Sequence, residues 1–174
     1  IGIDVTRLNA RLLIAALGEQ AAPSPPETYE EAGTAMHRGD IAVMGGVMPG
    51  QTTDAVSAAL AEYVNADLLV YATSVPGVFS DDPNEVDDAT KYAELSAGEL
   101  VDVIADLEMV AGSSAPVDLL AAKLIERSGV RTIVLDGTEP QRIADAVLRG
   151  EHDGTDVIPP GTDDEMTYWV DDEL

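Results

Sequence analysis

Three glycines and a proline interrupt the segment 43–56, which reads VMGGVMPGQTTDAV. Glycine lets the backbone approach a ligand closely, and the amide groups at the start of a following helix favour an anion such as phosphate. The segment has neither the Gly-Lys-Ser/Thr of a P-loop nor the Gly-x-Gly-x-x-Gly of a dinucleotide site. It therefore predicts either a phosphate-binding turn or simply a tight turn with a threonine cap.

A second segment, 73–83, reads TSVPGVFSDDP and follows the apolar run DLLVYAT. It offers hydroxyls, the aromatic ring of Phe79 and two neighbouring carboxylates. Such a loop could hold the base or ribose of a nucleotide, with Phe79 as an apolar wall and an aspartate on hydroxyls or magnesium. The alternative is a surface turn, and the acidic stretch 81–88 is expected to be solvated.

Asp118 lies near the start of a predicted helix in the segment GSSAPVDLLAAKLIERSG, residues 112–129. An aspartate there offsets the helix dipole, but in a phosphoryl-transfer enzyme it could also orient cationic groups around the phosphoryl group. Lys123 is expected on the surface. The chain has no cysteine, and His37 and His152 lack partners at metal or triad spacing, so we assign both histidines to packing and predict no protein metal site.

The elements that must position these residues alternate between helices and strands. Apolar spacing and capping residues predict helices at 4–17, 28–38, after Thr52 or Thr53, from Ser96, and at 117–128 and 139–148. Short apolar runs predict strands at 41–44, 67–73, 132–135 and 155–158, of which 67–73 is expected to be buried on both faces. This order indicates an α/β fold with a mostly parallel sheet, helices on both faces and ligands at the carboxyl ends of strands.

The charge of the chain restricts its partners. It contains 33 acidic and 9 basic residues, for a net charge of -24, which argues against binding nucleic acid or an anionic membrane through a broad basic surface. No apolar run approaches the roughly 20 residues of a membrane span. With only two lysines and one phenylalanine, the composition indicates a salt-adapted protein, the alternative being an acidic mesophilic enzyme.

Five motifs in register resemble the archaeal UMP kinases of the amino acid kinase superfamily. They are the opening IGIDVTRLNARLLIAAL, the VMGG-x-x-PG-x-TTDAV loop, the DLLVYAT strand with its V-x-GVF-x-x-DP continuation, GSS-x-x-x-D-LLAAK-x-I-x-RSG, and the closing HDGTDVI. The resemblance extends to about Pro159. It implies that residues 1–160 are the C-terminal two-thirds of one three-layer amino acid kinase-like domain, followed by an acidic tail at 161–174.

The resemblance also implies phosphoryl transfer from ATP to UMP with magnesium, in a cytoplasmic homohexamer of the pyrimidine nucleotide pathway. Asp118 matches the carboxylate that positions catalytic groups. The residues that would contact UMP are Val47, Met48, Pro49, Gly50, Gln51, Thr52, Thr53 and Asp54. Those that would line the ATP site are Thr73, Ser74, Phe79 and Asp82.

The sequence differs from this family in its opening. Family members begin with a strand, a Gly-Gly-Ser loop for the ATP phosphates and a Gly-Gly-Gly loop that contacts UMP, and none of these occurs here. We therefore expect the chain alone to be inactive as a UMP kinase. Two alternatives remain open: another kinase of the superfamily, such as an isopentenyl phosphate kinase, and a non-catalytic nucleotide-binding remnant.

The charge leads to a first prediction. The 33 carboxylates repel one another in dilute buffer, whereas molar salt screens this repulsion and strengthens apolar burial. The midpoint of thermal unfolding should therefore rise from low salt to molar KCl. An unchanged midpoint would contradict the assignment to a salt-adapted protein.

Overall fold

The computed structural model describes residues 1–83, 85–109 and 115–161, which form two compact units, Ile1–Asn65 and Ala66–Leu174. Most of the predicted acidic tail, residues 162–174, lies outside the described residues. Each unit has its own secondary structure. None of the helices in the described part of the chain is both long and apolar enough to cross a lipid bilayer.

Besides a 3-10 helix at Gly18–Gln20, the first unit contains three α-helices that lie within two residues of the predicted positions. They are α1 (Gly2–Leu17), α2 (Tyr29–His37) and α3 (Thr53–Val64). The hydroxyls of Thr28 and Thr52 accept hydrogen bonds from backbone N–H groups in the first turns of α2 and α3. Such caps satisfy amides that have no partner within the helix. The sequence allowed either Thr52 or Thr53 as the cap of α3, and the structure selects Thr52.

The predicted strand at 41–44 is wrong. Only Ile41 forms a β-bridge, with Ala21, and its side chain is 45% exposed. A short apolar run becomes a strand when a neighbouring strand supplies partners for its backbone N–H and C=O groups. The described part of the first unit contains no such strand, and residues 42–44 have no regular secondary structure.

The second unit is built on a four-stranded sheet. Its strands are β1 (Leu68–Thr73), β2 (Glu94–Ser96), β3 (Arg131–Asp136) and β4 (Thr155–Ile158), in the order β1-β3-β4-β2. The pairs β1 with β3 and β2 with β4 are parallel, and β3 with β4 is antiparallel. The predicted α/β class and mostly parallel sheet are therefore confirmed, although β2 was not predicted.

The core of the sheet is centred on β3 rather than on β1. Residues 132–135 of β3 are all buried. In β1 only Leu69 and Tyr71 are buried and Ala72 is exposed, so the prediction that this strand is buried on both faces is wrong. The reason is its position at the edge of the described sheet, because the covering helix α6 (Pro140–Arg149) packs mainly on β3.

Two further helices complete the second unit, α4 (Ala97–Met109) and α5 (Leu119–Ser128), and they pack against each other. The predicted capping box at the start of α4 is confirmed. Glu99 Oε2 accepts a hydrogen bond of 2.8 Å from the Ser96 amide, and the Glu99 amide donates one of 3.2 Å to the Ser96 hydroxyl. These contacts with Ser96 lower the pKa of the Glu99 carboxyl.

Candidate functional site

A cavity of about 680 Å³ lies in the first unit between the start of α1 and the glycine-containing loop. Six of the eight residues predicted to contact a ligand here line it: Met48, Pro49, Gly50, Gln51, Thr52 and Thr53. Val47 and Asp54 flank these six residues in the chain and are not among the lining residues. The structure thus brings together most of the site that the sequence predicts in this unit.

The loop reaches the cavity because its two adjacent glycines lie directly against α1. A Cβ atom on Gly45 would be 2.7 Å from the Arg7 backbone nitrogen, too close for any other residue. The Gly46 amide donates a 2.8 Å hydrogen bond to the Thr6 hydroxyl, and Arg7 Nε donates one of 3.3 Å to the Gly46 carbonyl. Gly45 is therefore required by its contact with α1, and of these two adjacent glycines Gly46 alone lines the cavity.

The floor of the cavity includes the N-terminus of α3. The Thr52 hydroxyl accepts a 3.1 Å hydrogen bond from the Ala55 amide, and Thr53 is the first helical residue. Both threonines are exposed at the end of the helix that carries partial positive charge. This end of the cavity suits an anion.

Gln51 supplies an unsatisfied polar atom at the same place. Within the described residues, its side-chain Oε1 is buried and has no hydrogen-bond partner. A buried acceptor without a donor destabilises a protein by roughly 1–3 kcal/mol, which a ligand N–H or O–H group can recover. The cavity thus combines a helix end that suits an anion with an unsatisfied hydrogen-bond acceptor.

In the second unit, the loop 73–83 leaves β1 through a compact turn. The Thr73 hydroxyl donates a 2.9 Å hydrogen bond to the Val75 carbonyl and accepts one of 3.0 Å from the Val75 amide. The Gly137 amide donates to the Thr73 carbonyl at 2.8 Å, which joins the ends of β1 and β3. Ser74 is exposed on this turn.

Phe79 and Asp82 follow on the same loop. Phe79 is half-buried and forms an antiparallel β-bridge with Lys91. Asp82 is only 8% exposed, so the prediction of a solvated acidic stretch is wrong for this residue. Its carbonyl accepts hydrogen bonds from the amides of Glu85 and Val86, and the chain therefore turns at Asp82 instead of extending into solvent.

Asp118 is the N-cap of α5 rather than a residue of its first turn. Its Oδ1 accepts a 2.8 Å hydrogen bond from the Ala121 amide. The structural interpretation of this aspartate is therefore confirmed, and its catalytic role remains a prediction. Lys123 is more than half exposed and pairs with Glu126 at 3.2 Å, as its predicted surface position requires. Residues 112–114 of the segment lie outside the described residues.

Both histidines lie in structural contacts. His37 Nδ1 is 2.7 Å from the Gly33 carbonyl, and the largely buried His152 has its Nε2 3.5 Å from Asp156. Burial raises the pKa of the Asp156 carboxyl, but the hydrogen bond and charge of His152, together with Arg131, outweigh it and lower the pKa overall. Among the residues that the structure describes, no group of three or more metal-binding side chains could hold an ion.

One residue that holds the loop 73–83 in place was not predicted from the sequence. Thr155, at the start of β4, is fully buried, and its hydroxyl accepts a 2.9 Å hydrogen bond from the Val78 amide. The available signal is a hydroxyl residue at a position of a short strand where apolar residues usually lie. That signal predicts burial, but it does not identify a partner 77 residues away in the chain.

Comparison with known proteins identifies relatives over nearly the whole chain. Residues 1–136 match the sequence model of the amino acid kinase family. The uridylate kinase of Halobacterium salinarum is 79% identical over 173 residues, which are 99% of this chain and 72% of that protein. The uridylate kinase of Haloquadratum walsbyi is 66% identical over 170 residues, or 98% of this chain and 70% of the relative.

Solved structures show the same fold. The crystal structure of uridylate kinase from Archaeoglobus fulgidus has a TM-score of 0.80 at 45% identity, covering 90% of this chain and 69% of that one. The UMP kinase of Bacillus anthracis has a TM-score of 0.67 at 23% identity, covering 88% and 64%, and shows similarity of fold alone. The predicted amino acid kinase-like fold is confirmed.

Proposed function

This chain belongs to the amino acid kinase family, and we propose that it functions in a UMP kinase, an enzyme that transfers the γ-phosphoryl group of ATP to UMP and yields UDP. The observation that carries the proposal is the 79% identity to a uridylate kinase over 99% of the chain. The names of these relatives give no support to an isopentenyl phosphate kinase or to a non-catalytic remnant. The assignment of residues 1–160 to two-thirds of one amino acid kinase-like domain and a cytoplasmic location, both implied by the resemblance, are parts of the same proposal.

UMP would bind in the cavity of the first unit. A volume of about 680 Å³ lies within the range of roughly 300–1,000 Å³ that is usual for small-molecule sites. The phosphate would lie at the N-terminus of α3, where the helix dipole and the Thr53 hydroxyl favour an anion. The Gln51 Oε1 atom would accept a hydrogen bond from the uracil N–H or a ribose hydroxyl, and so lose its unsatisfied state.

A threonine substitution tests this placement of UMP. Thr53→Ala removes a hydroxyl donor to a charged phosphate, so the Kd for UMP should rise on the order of tenfold while ATP binding is unchanged. The measurement is calorimetric titration in molar KCl. Thr34→Ala, which removes an exposed threonine hydroxyl from α2, is the matched control and should leave UMP binding as it is. Weaker ATP binding with unaltered UMP binding would overturn the assignment.

ATP would bind at the loop of the second unit that contains Thr73, Ser74, Phe79 and Asp82. The half-buried ring of Phe79 can form one apolar wall for a base, and exposed Ser74 offers a hydroxyl. Magnesium usually binds through substrate phosphates, a few waters and one or two carboxylates. Among the four residues proposed for this loop, Asp82 supplies the one carboxylate. The ion would therefore arrive with ATP.

Asp118 would position catalytic groups during phosphoryl transfer, a reaction that depends on alignment and charge stabilisation rather than on a covalent intermediate. Asparagine caps a helix about as well as aspartate. Asp118→Asn therefore keeps the hydrogen bond to the Ala121 amide and removes only the charge.

The expected result is a turnover number lower by roughly a hundredfold or more with an unchanged unfolding midpoint. UDP formation from UMP and MgATP is measured in the full-length native protein that contains these residues. Glu99→Gln, which neutralises the capping-box carboxylate at the start of α4, is the control and should keep normal turnover. Near-normal UDP formation by Asp118→Asn would leave this residue with its structural role alone.

A homo-oligomer, a hexamer by family resemblance, is the last part of the proposal. Val5, Leu8 and Leu12 form an apolar stripe along α1, and their side chains are 50%, 57% and 64% exposed. Residues three and four apart share one face of a helix, so these side chains form one patch. Apolar patches of this kind mark contacts between proteins, and a symmetric contact uses the same patch on each copy.

Leu8→Glu should therefore lower the oligomeric state, because it places a charge in a contact that excludes water. Sedimentation velocity in molar KCl measures the change. Leu120→Glu, at a position on α5 that is 49% exposed, introduces the same charge elsewhere and should sediment like the parent. Identical sedimentation of Leu8→Glu and the parent would exclude α1 as the contact.

A further inference from the structure

We propose that Thr155 is a positioning residue for ATP binding, because its hydroxyl holds the loop 73–83 in the conformation that receives the nucleotide. The inference rests on the proposed function of that loop. It concerns a residue in a different strand, and Thr155 would act through Val78 and its neighbours. All the residues involved belong to the second unit.

The hydroxyl of Thr155 makes two hydrogen bonds to backbone groups that are distant in the chain. Its Oγ1 accepts from the Val78 amide at 2.9 Å and donates to the Tyr92 carbonyl at 2.6 Å. A hydroxyl has a single hydrogen to donate, so the direction of both bonds is fixed by their partners. One side-chain atom therefore joins β4, the loop 73–83 and the segment that leads into β2.

These two segments are also paired with each other. The Tyr92 amide donates a 2.9 Å hydrogen bond to the Val78 carbonyl, and Phe79 forms an antiparallel bridge with Lys91. The Val78 side chain is fully buried. Since Phe79 directly follows Val78, the anchor at Val78 determines where the Phe79 ring, the proposed wall of the ATP site, is placed.

Gly77 allows the loop 73–83 to lie close to Thr155. A Cβ atom at this position would lie 2.7 Å from Thr155 Oγ1, and the Gly77 φ angle is 142°, in the region that favours glycine. A larger residue would push the loop away from β4. The close contact therefore depends on both residues: Gly77 has no side chain that would clash, and Thr155 supplies the hydroxyl.

Loss of the Thr155 hydroxyl should change the conformation of the loop 73–83 without unfolding the second unit. Without Thr155 Oγ1, the buried Val78 amide has no partner, and an unpaired buried N–H group is strongly unfavourable. The loop can recover a partner by moving toward water, whereas the strands keep their own ladder of hydrogen bonds. Local opening of this kind has a lower free energy than global unfolding.

The test compares Thr155→Val, which removes the hydroxyl and keeps the shape, with Thr155→Ser, which keeps the hydroxyl. Thr132→Val is the matched control. Thr132 is also fully buried in the same sheet, but its hydroxyl donates only to the nearby Val130 carbonyl, at 3.2 Å. The Kd for MgATP and the KM values for ATP and UMP are measured in the full-length native protein, and hydrogen exchange at the Val78 amide is followed in parallel.

Thr155→Val should weaken ATP binding on the order of tenfold and accelerate exchange at Val78 by a similar factor, with an unchanged KM for UMP. Thr155→Ser and Thr132→Val should both resemble the parent. Equal ATP affinities for Thr155→Val and Thr132→Val would overturn the positioning role, even if the Val78 amide exchanges faster. A parallel loss of ATP and UMP binding would also overturn it, because that pattern indicates general destabilisation.

A second variant and a measurement of UDP formation cover the remaining outcomes. If Thr155→Val fails to fold, Gly77→Ala applies the same test from the loop side, and normal ATP affinity of that variant would contradict the proposal. A parent that binds ATP but forms no UDP would refute the proposed kinase function. The comparison of ATP affinities would still decide the role of Thr155.

Discussion

The antiparallel pairing of β3 with β4 joins two parallel strand pairs into one sheet. Only three residue pairs form it, with Val134 opposite Thr155 and Thr132 opposite Val157. A Cβ atom on Gly154 would lie 2.4 Å from the Val134 carbonyl oxygen, so β4 enters the sheet directly against the backbone of β3. Because the two strands run in opposite directions, β4 begins at the edge where β1 and β3 end. The loops that leave those strands therefore meet the start of β4.

The helices could be predicted from the sequence because their signals are local. The caps at Thr28 and Ser96 and the glycine after α5 lie within a few residues of the backbone groups that they satisfy. Strands depend on partners that are distant in the chain. For this reason the apolar run 41–44 was wrongly predicted to be a strand, while the three-residue β2, which pairs with β4, was missed.

Prediction of the candidate site was likewise limited to features that are local in the sequence. Six of the eight predicted residues line one cavity because they are consecutive and follow one turn into α3. The burial of Asp82 and the anchoring of Val78 by Thr155 both depend on contacts that residue spacing does not show. Asp118 illustrates a further point: its helix-start position was evident from the sequence, whereas its catalytic role came from the family resemblance and not from its surroundings.

The charge of the protein bears on how it would hold a phosphate. None of the residues that line the cavity of the first unit is a lysine or an arginine, and the end proposed to hold the phosphate is formed by backbone and hydroxyl groups at the start of α3. In the second unit, guanidinium nitrogens of Arg142 lie 3.6–3.8 Å from carboxylate oxygens of Asp136, Glu139 and Asp153. In molar salt the screening length is about 3 Å, so attraction between exposed charges is weak. Direct hydrogen bonds act at contact distance. A phosphate held by amides and hydroxyls would therefore lose less affinity in a concentrated salt solution than one held by lysine side chains.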